Sequence, residues 1–195
     1  MIKKTIYKGS LFLNLAKYQL KNLIKPSQIN ENLEFIKKSE IFLTQLETPY
    51  EVTSYALNKS KETGSITIFN PAPARKLEKI FLEHVTWLIP NENEFELISG
   101  MEPNDENFLR FKKDIPCNLI VTLGEKGAVL VGEDKTHHFD APTVDAVDTT
   151  GAGDSFIGTF AYELSESNSP EECIKKAIQK ASQSVTKKGT QSSYS

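Results

Sequence analysis

Short apolar runs alternate along the chain with longer segments whose apolar residues have helical spacing. The apolar runs are four to six residues long, and each ends at a glycine, a proline or a polar residue, which is typical of β-strands. They are Ile41–Leu46, Ser65–Phe69, Thr86–Ile89, Leu119–Leu123 and Ala128–Val131. The segments with helical spacing include Val52–Leu57, stopped by Gly64, Leu77–Val85, Glu94–Ser99, stopped by Gly100, Ala152–Leu164 and Pro170–Val185.

This alternation of strands and helices predicts the class of fold. Strands that are separated by helices indicate βαβ crossovers, and hence a mainly parallel sheet with helices on both faces, a three-layer α/β/α sandwich. Only Gly124–Gly127 separates the last two strands, which predicts a hairpin and therefore antiparallel strands at one edge. A further apolar run passes through His137 to Phe139. Near the amino terminus, Tyr18 and Leu20 to Ile24 indicate at most one helix.

Composition and charge exclude several classes of protein. The 195 residues are 38% hydrophobic, and 23 Lys+Arg against 26 Asp+Glu give 23 − 26 = −3. There is no basic excess for a nucleic-acid partner, and no apolar run reaches the roughly 18–20 residues that a membrane span needs. Cys117 and Cys173 are far apart, which excludes a zinc cluster. The chain is predicted to be a cytoplasmic protein, with the nucleus as a second compartment.

The strongest local signal is the segment Val147–Phe156, in which two closely spaced glycines open into a helix. Such a loop lets the backbone approach a ligand, and the first N–H groups of the helix favour an anion. Asp154 lies in the first turn of that helix. A helix capped by a threonine after a glycine turn explains the same residues without a ligand. No G-x-x-x-x-G-K-[ST] loop occurs in the chain.

Three other segments have a structural and a functional interpretation that the residues alone leave open. Asn91 followed by Glu94 at the start of a helix is a variant of a capping box. Thr122–Gly127 can be a plain turn between two strands. Glu47 can simply end a strand in solvent.

Five motifs in the same order resemble those of the PfkB-type sugar kinases, and within that family the ribokinase group. The most specific is Asp148-Thr149-Thr150-Gly151-Ala152-Gly153-Asp154. The others are Gln45-Leu46-Glu47-Thr48-Pro49, Asn70-Pro71-Ala72-Pro73-Ala74, Pro90-Asn91-Glu92-Asn93-Glu94 and Thr122-Leu123-Gly124-Glu125-Lys126-Gly127, followed by a carboxyl-terminal loop, Gly189-Thr190-Gln191-Ser192-Ser193-Tyr194. The resemblance implies a ribokinase-like fold and a phosphotransferase that acts on an alcohol group.

The resemblance also implies the catalytic residues. Asp154 would accept the proton of the ribose 5-hydroxyl as that hydroxyl attacks the γ-phosphate of ATP. The backbone N–H groups of Gly151, Ala152 and Gly153 would form an anion hole for the phosphoryl oxygens. Glu47, together with Asp154, would bind ribose. The product would be ribose 5-phosphate.

Nucleotide and cation sites follow from the same resemblance. The residues implied to bind ATP are Asn91, Thr122, Leu123, Gly124, Glu125, Lys126, Gly127, Gly153 and Asp154. Glu94 would organise the shell of Mg²⁺, which keeps several waters in such sites. The residues implied to bind K⁺, through carbonyl, carboxylate or hydroxyl oxygens, are Asp148, Thr150, Ser184, Lys187, Gly189 and Ser193.

The chain departs from the family pattern at its amino terminus. Residues 1–28 form a divergent segment, and the kinase-like part is expected to span residues 29–195. The sugar-binding Gly-Gly-x-Gly-x-Asn motif and the lid through which family members form homodimers do not occur, so weak ribose phosphorylation is expected and dimerisation is left open. Ile178 stands where the family places Asn or His near adenine. The alternatives are another PfkB-type sugar or nucleoside kinase and a catalytically silent nucleotide-binding module.

Overall fold

A single seven-stranded sheet organises the chain. The computed structural model describes residues 24–189 and, for the backbone only, residues 10–12. The strands follow one another in space in chain order, β1 to β7. The first five are parallel, β6 is antiparallel to both β5 and β7, and β7 therefore runs in the same direction as the first five. Their bounds are β1 (Ser10–Phe12), β2 (Ile41–Thr44), β3 (Ile66–Phe69), β4 (Trp87–Leu88), β5 (Asn118–Thr122), β6 (Ala128–Val131) and β7 (Thr136–Phe139). The predicted mainly parallel sheet with an antiparallel edge is confirmed.

Eight helices occur among the described residues, and five of them were predicted. Their bounds are α1 (Pro26–Glu31), α2 (Leu33–Lys37), α3 (Tyr50–Glu62), α4 (Lys79–Leu82), α5 (Glu92–Ser99), α6 (Asp105–Asp114), α7 (Ala152–Ser165) and α8 (Pro170–Ser184). Helix α4 is a single turn, shorter than the predicted Leu77–Val85. The pattern did not indicate α1, α2 or α6.

Capping residues explain why several helices begin and end where they do. Helix α6 begins at Asn104, whose side chain accepts the N–H of Asn107, although the pattern of apolar residues alone did not reveal this helix. Helix α5 ends at Gly100, which adopts the left-handed conformation with φ 71°. Helix α8 begins with a capping box between Ser169 and Glu172.

The sheet separates two hydrophobic cores, because successive side chains of a strand point to opposite faces. Phe42, Phe69 and Leu88 pack with apolar side chains of α1 to α6 on one face. Ile41, Ile68, Trp87 and Ile120 pack with α7 and α8 on the other, where the Trp87 and Phe160 rings meet edge to face at 5.2 Å. Cys117 and Cys173 are both buried, one in each core. The predicted α/β/α sandwich is therefore confirmed.

Some predictions fall on residues that the structure leaves undescribed. These are the helix predicted around Tyr18, Leu20 and Leu23, and the carboxyl-terminal residues 190–195, which include Ser193. Within the described ranges, none of the helices combines the length and the apolar character needed to cross a membrane.

Candidate functional site

Polar side chains come directly after two buried parallel strands and meet at one edge of the sheet. Gln45 follows the last residue of β2, and Asn70 follows the last residue of β3. The Gln45 Nε2 atom donates to Asn70 Oδ1 at 2.9 Å. The two strand exits are also held by the backbone, because the Leu46 N–H donates to the Ala72 carbonyl at 2.8 Å. The carboxyl ends of β2 and β3 thus form one polar surface, as is usual for ligand sites of parallel sheets.

Asn70 connects this surface to the start of α5. Its buried amide donates to the Ile89 carbonyl at 2.9 Å and to Glu94 Oε2 at 3.1 Å. Asn91 and Glu94 form a capping box, with Glu94 N donating to Asn91 Oδ1 at 2.8 Å and Asn91 N donating to Glu94 Oε2 at 2.9 Å. Burial raises the pKa of the Glu94 carboxyl, although the hydrogen bonds that it accepts from the Asn91 backbone and the Asn70 side chain favour its charged form. The capping interpretation is confirmed, and it leaves the Glu94 carboxylate at the edge of the sheet.

Asp154 enters the same set of hydrogen bonds from α7. It lies exposed in the first turn of that helix, and its Oδ1 accepts the second N–H of Gln45 at 3.0 Å. We call Asp154, Gln45, Asn70, Glu94 and Asn91 the edge network. An exposed carboxylate that is held in this way at a helix amino terminus can accept a proton from a neighbouring hydroxyl.

The loop that precedes Asp154 lacks the threonine cap that the interpretation without a ligand predicted. Gly151 is the N-cap of α7, in the left-handed conformation with φ 80°, and no side chain accepts a hydrogen bond there. The interpretation as a threonine-capped helix is therefore wrong. The Ala152 N–H donates to the Thr149 carbonyl at 3.2 Å, and the Ser155 N–H donates to the Gly151 carbonyl at 2.9 Å. A glycine is needed at the cap because a side chain rarely adopts this φ.

The segment from Thr122 to Gly127 lies beside the edge network. Asn91 and Thr122 form a parallel bridge, and the Thr122 N–H donates to the Pro90 carbonyl at 2.9 Å. Gly124–Lys126 forms an exposed 3-10 turn, which the Leu123 N–H closes by donating to Gly127 O at 2.8 Å. The predicted turn between two strands is confirmed, and it adjoins the start of α5.

Gly127 packs this turn against the residues that follow β7. Its φ is 101°, and a Cβ atom there would lie 2.0 Å from the carbonyl oxygen of Phe139. Phe139 in turn lines a pocket of about 320 Å³, together with His138, Asp140, Pro142, Lys175, Ile178 and Gln179. Ile178 is buried. The turn and the pocket are therefore joined through Phe139, and the pocket lies beside α8.

Asp148 ties the glycine loop to the end of α8. Its Oδ1 accepts the Thr150 N–H and its Oδ2 accepts the Gly189 N–H, each at 3.0 Å. The hydrogen bond from the Thr150 backbone, with smaller help from Gly189, lowers the pKa of the Asp148 carboxyl. The Val185 carbonyl accepts the N–H groups of Val147 and Asp148 at 2.8 and 3.1 Å. The Asp148 carboxylate and the Val185 carbonyl thus hold the glycine loop against the end of α8, and oxygen donors of these kinds suit a hard cation.

The structure thus arranges the sequence-predicted residues in two clusters. Asp154, Glu94 and Asn91 share the edge network with Thr122 beside it, whereas Asp148, Thr150 and Gly189 meet at the end of α8 close to the buried Ser184 and the exposed Lys187. Glu47 lies half-buried two residues beyond Gln45. No group of three or more His, Cys, Asp or Glu side chains suited to a metal ion is found in the described part of the chain.

Gln45 and Asn70 are the two members of the network to which the sequence assigned no role. Both belong to segments that carry the family resemblance, but neither has a charge or a spacing that marks it as functional. The signal that could have revealed them is their position. A polar residue directly after a buried parallel strand lies at the edge where such sheets bind ligands.

Comparison with known proteins places this site in a family. The sequence model of the pfkB family carbohydrate kinase matches residues 10–195. The chain is 39% identical over 178 residues to a deoxyribokinase of Salmonella typhi, covering 88% of this chain and 58% of that protein. Two solved structures have the same fold. A ribokinase of Thermotoga maritima has a TM-score of 0.73 and 36% identity, covering 89% of this chain and 57% of that one.

The second structure is a ribokinase of Arabidopsis thaliana in complex with ribose and ATP. It has a TM-score of 0.77 and 28% identity, covering 84% of this chain and 55% of that one. The chain therefore spans less than two thirds of the length of each of these three proteins. Since the family model matches nearly all of its sequence and the solved relatives share its fold, the chain belongs to the pfkB family of carbohydrate kinases.

Proposed function

We propose that the chain carries the catalytic and nucleotide-binding part of an ATP-dependent kinase that phosphorylates D-ribose at O5. The observation that carries this proposal is the edge network, in which an exposed Asp154 carboxylate is hydrogen-bonded to the strand exits at 3.0 Å. The products are ribose 5-phosphate and ADP. The identity to ribokinases and a deoxyribokinase supports a pentose as the acceptor.

Asp154 acts as the base in this mechanism. The sugar hydroxyl oxygen attacks the γ-phosphorus, its proton passes to the Asp154 carboxylate, and the bond to the β-phosphate oxygen breaks. Phosphoryl transfer has a loose transition state that requires positioning and charge stabilisation more than early deprotonation. The proposed anion hole lies at the amino terminus of α7, at Gly151, Ala152 and Gly153. The Ala152 N–H already donates to the Thr149 carbonyl at 3.2 Å, so a phosphoryl oxygen would share or replace that hydrogen bond.

The nucleotide lies along the region on the α8 side of the sheet. Asn91 is beside the phosphates, and the turn Thr122–Gly127, exposed at Gly124–Lys126, follows the nucleotide towards the 320 Å³ pocket. Ile178 and Phe139 offer apolar surface to the base there, while Lys175 and Gln179 line the rim. An apolar wall is suited to the face of adenine, so Ile178 does not oppose nucleotide binding.

Two cations complete the proposed site. Glu94 has a carboxylate at the edge of the sheet that suits the water shell of Mg²⁺. Asp148 and the carbonyls of Thr150, Ser184, Lys187 and Gly189, with Ser193, suit K⁺. When bound, Mg²⁺ neutralises phosphate charge and K⁺ stabilises the loop that carries the anion hole.

A second acceptor is favoured by one comparison. The 39% identity to a deoxyribokinase makes 2-deoxyribose a candidate beside ribose. Glu47, half-buried at the exit of β2, is positioned to accept hydrogen bonds from sugar hydroxyls. The ratio of kcat/KM for ribose and 2-deoxyribose measures how much the binding of the sugar by Glu47 depends on the 2-hydroxyl.

The test is a measurement of ADP release by the full chain with a panel of ribose, 2-deoxyribose, fructose and adenosine. Turnover that requires a pentose supports the proposal, and turnover that requires fructose or adenosine contradicts it. Because the Gly-Gly-x-Gly-x-Asn motif does not occur, we expect a high KM for the sugar. The acceptor must therefore be raised to saturation.

The alternative of a silent nucleotide-binding module is separated by a second measurement on the same protein. A non-hydrolysable ATP analogue is titrated while the fluorescence of Trp87, the single tryptophan, is monitored. Saturable binding without turnover on any acceptor supports the silent module. Binding together with pentose-dependent turnover excludes it.

A further inference from the structure

Gln45 uses one side-chain amide to join a buried strand exit to an exposed carboxylate. Its Nε2 donates to Asn70 Oδ1 at 2.9 Å and to Asp154 Oδ1 at 3.0 Å. The second of these bonds spans 109 positions of sequence. It is therefore a tertiary contact, made only when α7 is docked on the sheet.

The direction of these hydrogen bonds is set by the core. The Ile89 carbonyl can only accept, so the Asn70 atom that faces it at 2.9 Å must be the nitrogen. The Asn70 oxygen then faces Gln45, which must present its own nitrogen. Of the two N–H groups on that nitrogen, one is given to Asn70 and the other points at Asp154.

Asp154 needs such a contact because it lies exposed on the first turn of α7. An exposed carboxylate samples several rotamers, and only some of them aim an oxygen at an acceptor hydroxyl. The Gln45 donor holds Oδ1. The other oxygen, Oδ2, makes no hydrogen bond to any described residue, and it is therefore available to take a proton.

We infer that Gln45 is a positioning residue: anchored through Asn70 to the Ile89 carbonyl and to Glu94, it holds one oxygen of Asp154 so that the other faces the attacking hydroxyl. The inference rests on the proposed function, in which Asp154 is the base. It also makes a statement about the fold alone, that one N–H of the anchored Gln45 amide is given to Asp154 Oδ1, which holds or fails whatever the chain catalyses.

Kinetics test the catalytic part with variants of similar size. Gln45→Met keeps the length of the side chain and removes both N–H groups, and Gln45→Glu places a charged acceptor against Asp154 Oδ1. We expect kcat to fall about 10- to 100-fold in Gln45→Met, as for a misaligned catalytic group, with the KM for ATP unchanged. The kcat of Gln45→Glu should fall further than that of Gln45→Met. Equal and small losses in the two variants overturn the inference.

A matched control comes from the same strand exit. Thr48 pairs its hydroxyl with that of Thr53 at 2.6 Å and makes no hydrogen bond to Asp154. Thr48→Val removes a side-chain hydrogen bond from the same loop while keeping its shape. We expect kcat within about twofold of the wild type; a loss equal to that of Gln45→Met would show that general loosening of the loop is responsible, and would overturn the inference.

Nuclear magnetic resonance tests the fold part without activity. The side-chain NH₂ signals of Gln45 are identified by their loss in Gln45→Met. In Asp154→Ala, an exposed substitution, the N–H that Gln45 gives to Asp154 loses its acceptor while the N–H given to Asn70 keeps its own. We therefore expect the Gln45 side-chain signals to shift, the largest change being at that one N–H, whereas Thr48→Val should leave both signals unchanged. Signals that stay in place in Asp154→Ala overturn the inference.

The two measurements separate the possible failures. If no acceptor is phosphorylated but the Gln45 signals respond to Asp154→Ala, the proposed function fails and the hydrogen-bonded positioning is upheld. If pentose is phosphorylated and neither kcat nor the signals respond, the proposed function stands and the positioning role is overturned.

Discussion

The edge network and the nucleotide side of the site are built in different ways. Around Asp154, side-chain amides carry the structure, and Gln45 and Asn70 make four hydrogen bonds at 2.9 to 3.1 Å. Around the turn Thr122–Gly127 and the 320 Å³ pocket, backbone bonds, glycine conformations and apolar walls carry it.

The difference fits the proposed roles of the two regions. The proposed base, Asp154, and the carboxylate proposed for the shell of Mg²⁺, Glu94, need fixed directions, and amide donors set directions. A nucleotide offers phosphates and an apolar ring, which backbone N–H groups and an open apolar surface accommodate. Substitutions should therefore change rates on the side of Asp154 and conformation on the side of the turn.

The largest effect is expected for Asp154→Asn. Removal of the base should lower kcat by about 10²- to 10⁴-fold while nucleotide affinity stays nearly unchanged, because the amide keeps the shape and the contact with Gln45. Glu171→Gln is the control, since Glu171 is a carboxylate in the first turn of α8 and belongs to neither cluster. Activity that survives in Asp154→Asn would remove the assigned base.

A smaller effect, on conformation, is expected for Gly127→Ala. Its φ of 101° alone costs about 1–3 kcal/mol for a residue with a side chain, and the 2.0 Å approach to Phe139 O adds to this. Gly124→Ala in the same turn is the control. Gly124 has φ 58° and open space around its Cα, so Gly124→Ala should lower the free energy of unfolding by only about 1 kcal/mol.

Urea unfolding gives both stabilities, and titration of an ATP analogue gives the affinity. We expect the affinity to fall more in Gly127→Ala than in Gly124→Ala. Equal losses in the two variants would show that the packing of the turn against Phe139 is not what shapes the nucleotide side.

The smallest effect is expected in how the free energy of unfolding depends on pH, which should differ in sign between variants at Glu94 and at Asp148. Burial raises the pKa of Glu94 above its ordinary 4.5, so its ionisation opposes folding, and the wild type loses stability as pH rises through the raised pKa. Glu94→Gln removes this loss. Its stability relative to the wild type should therefore be higher at pH 7 than at pH 3.

Asp148 should show the opposite sign. Hydrogen bonds from the Thr150 and Gly189 backbone lower its pKa below the ordinary 3.8, so its charged form favours folding. That contribution is present above pH 3.8 and is lost as pH falls through the lowered pKa. Asp148→Asn should therefore be less stable than the wild type by a larger margin at pH 7 than at pH 3, as measured by urea unfolding. The same sign for both variants would contradict the contrast.

Much of the fold was predictable because strands and helices leave different periods in a sequence. In β2 and β3, successive side chains enter opposite cores: Ile41 and Ile68 lie in one, Phe42 and Phe69 in the other. Gly64 and Gly100, which were predicted to stop helices, lie where α3 and α5 end. Helix α6 was missed because its signals are capping and charge at Asn104 and Asp105. Its two buried phenylalanines alone give too short a pattern.

The site was predictable in part. A glycine loop before Asp154, and Asn91 three residues before Glu94, are local patterns that the structure places at helix starts. Gln45 and Asn70 were not assigned a role, because their hydrogen-bond partners lie 19 to 109 positions away. No local window contains such partners.

The local sequence was enough to predict the alternation of strands and helices and the capping box that begins α5, because propensity, period and capping act over a few residues. Only the tertiary structure decided which carboxylate meets which amide. That depends on the docking of α7 against the exits of β2 and β3, and docking is a property of the packed cores rather than of any segment. Asp154 is marked by its motif, whereas its partner Gln45 is marked only by the fold.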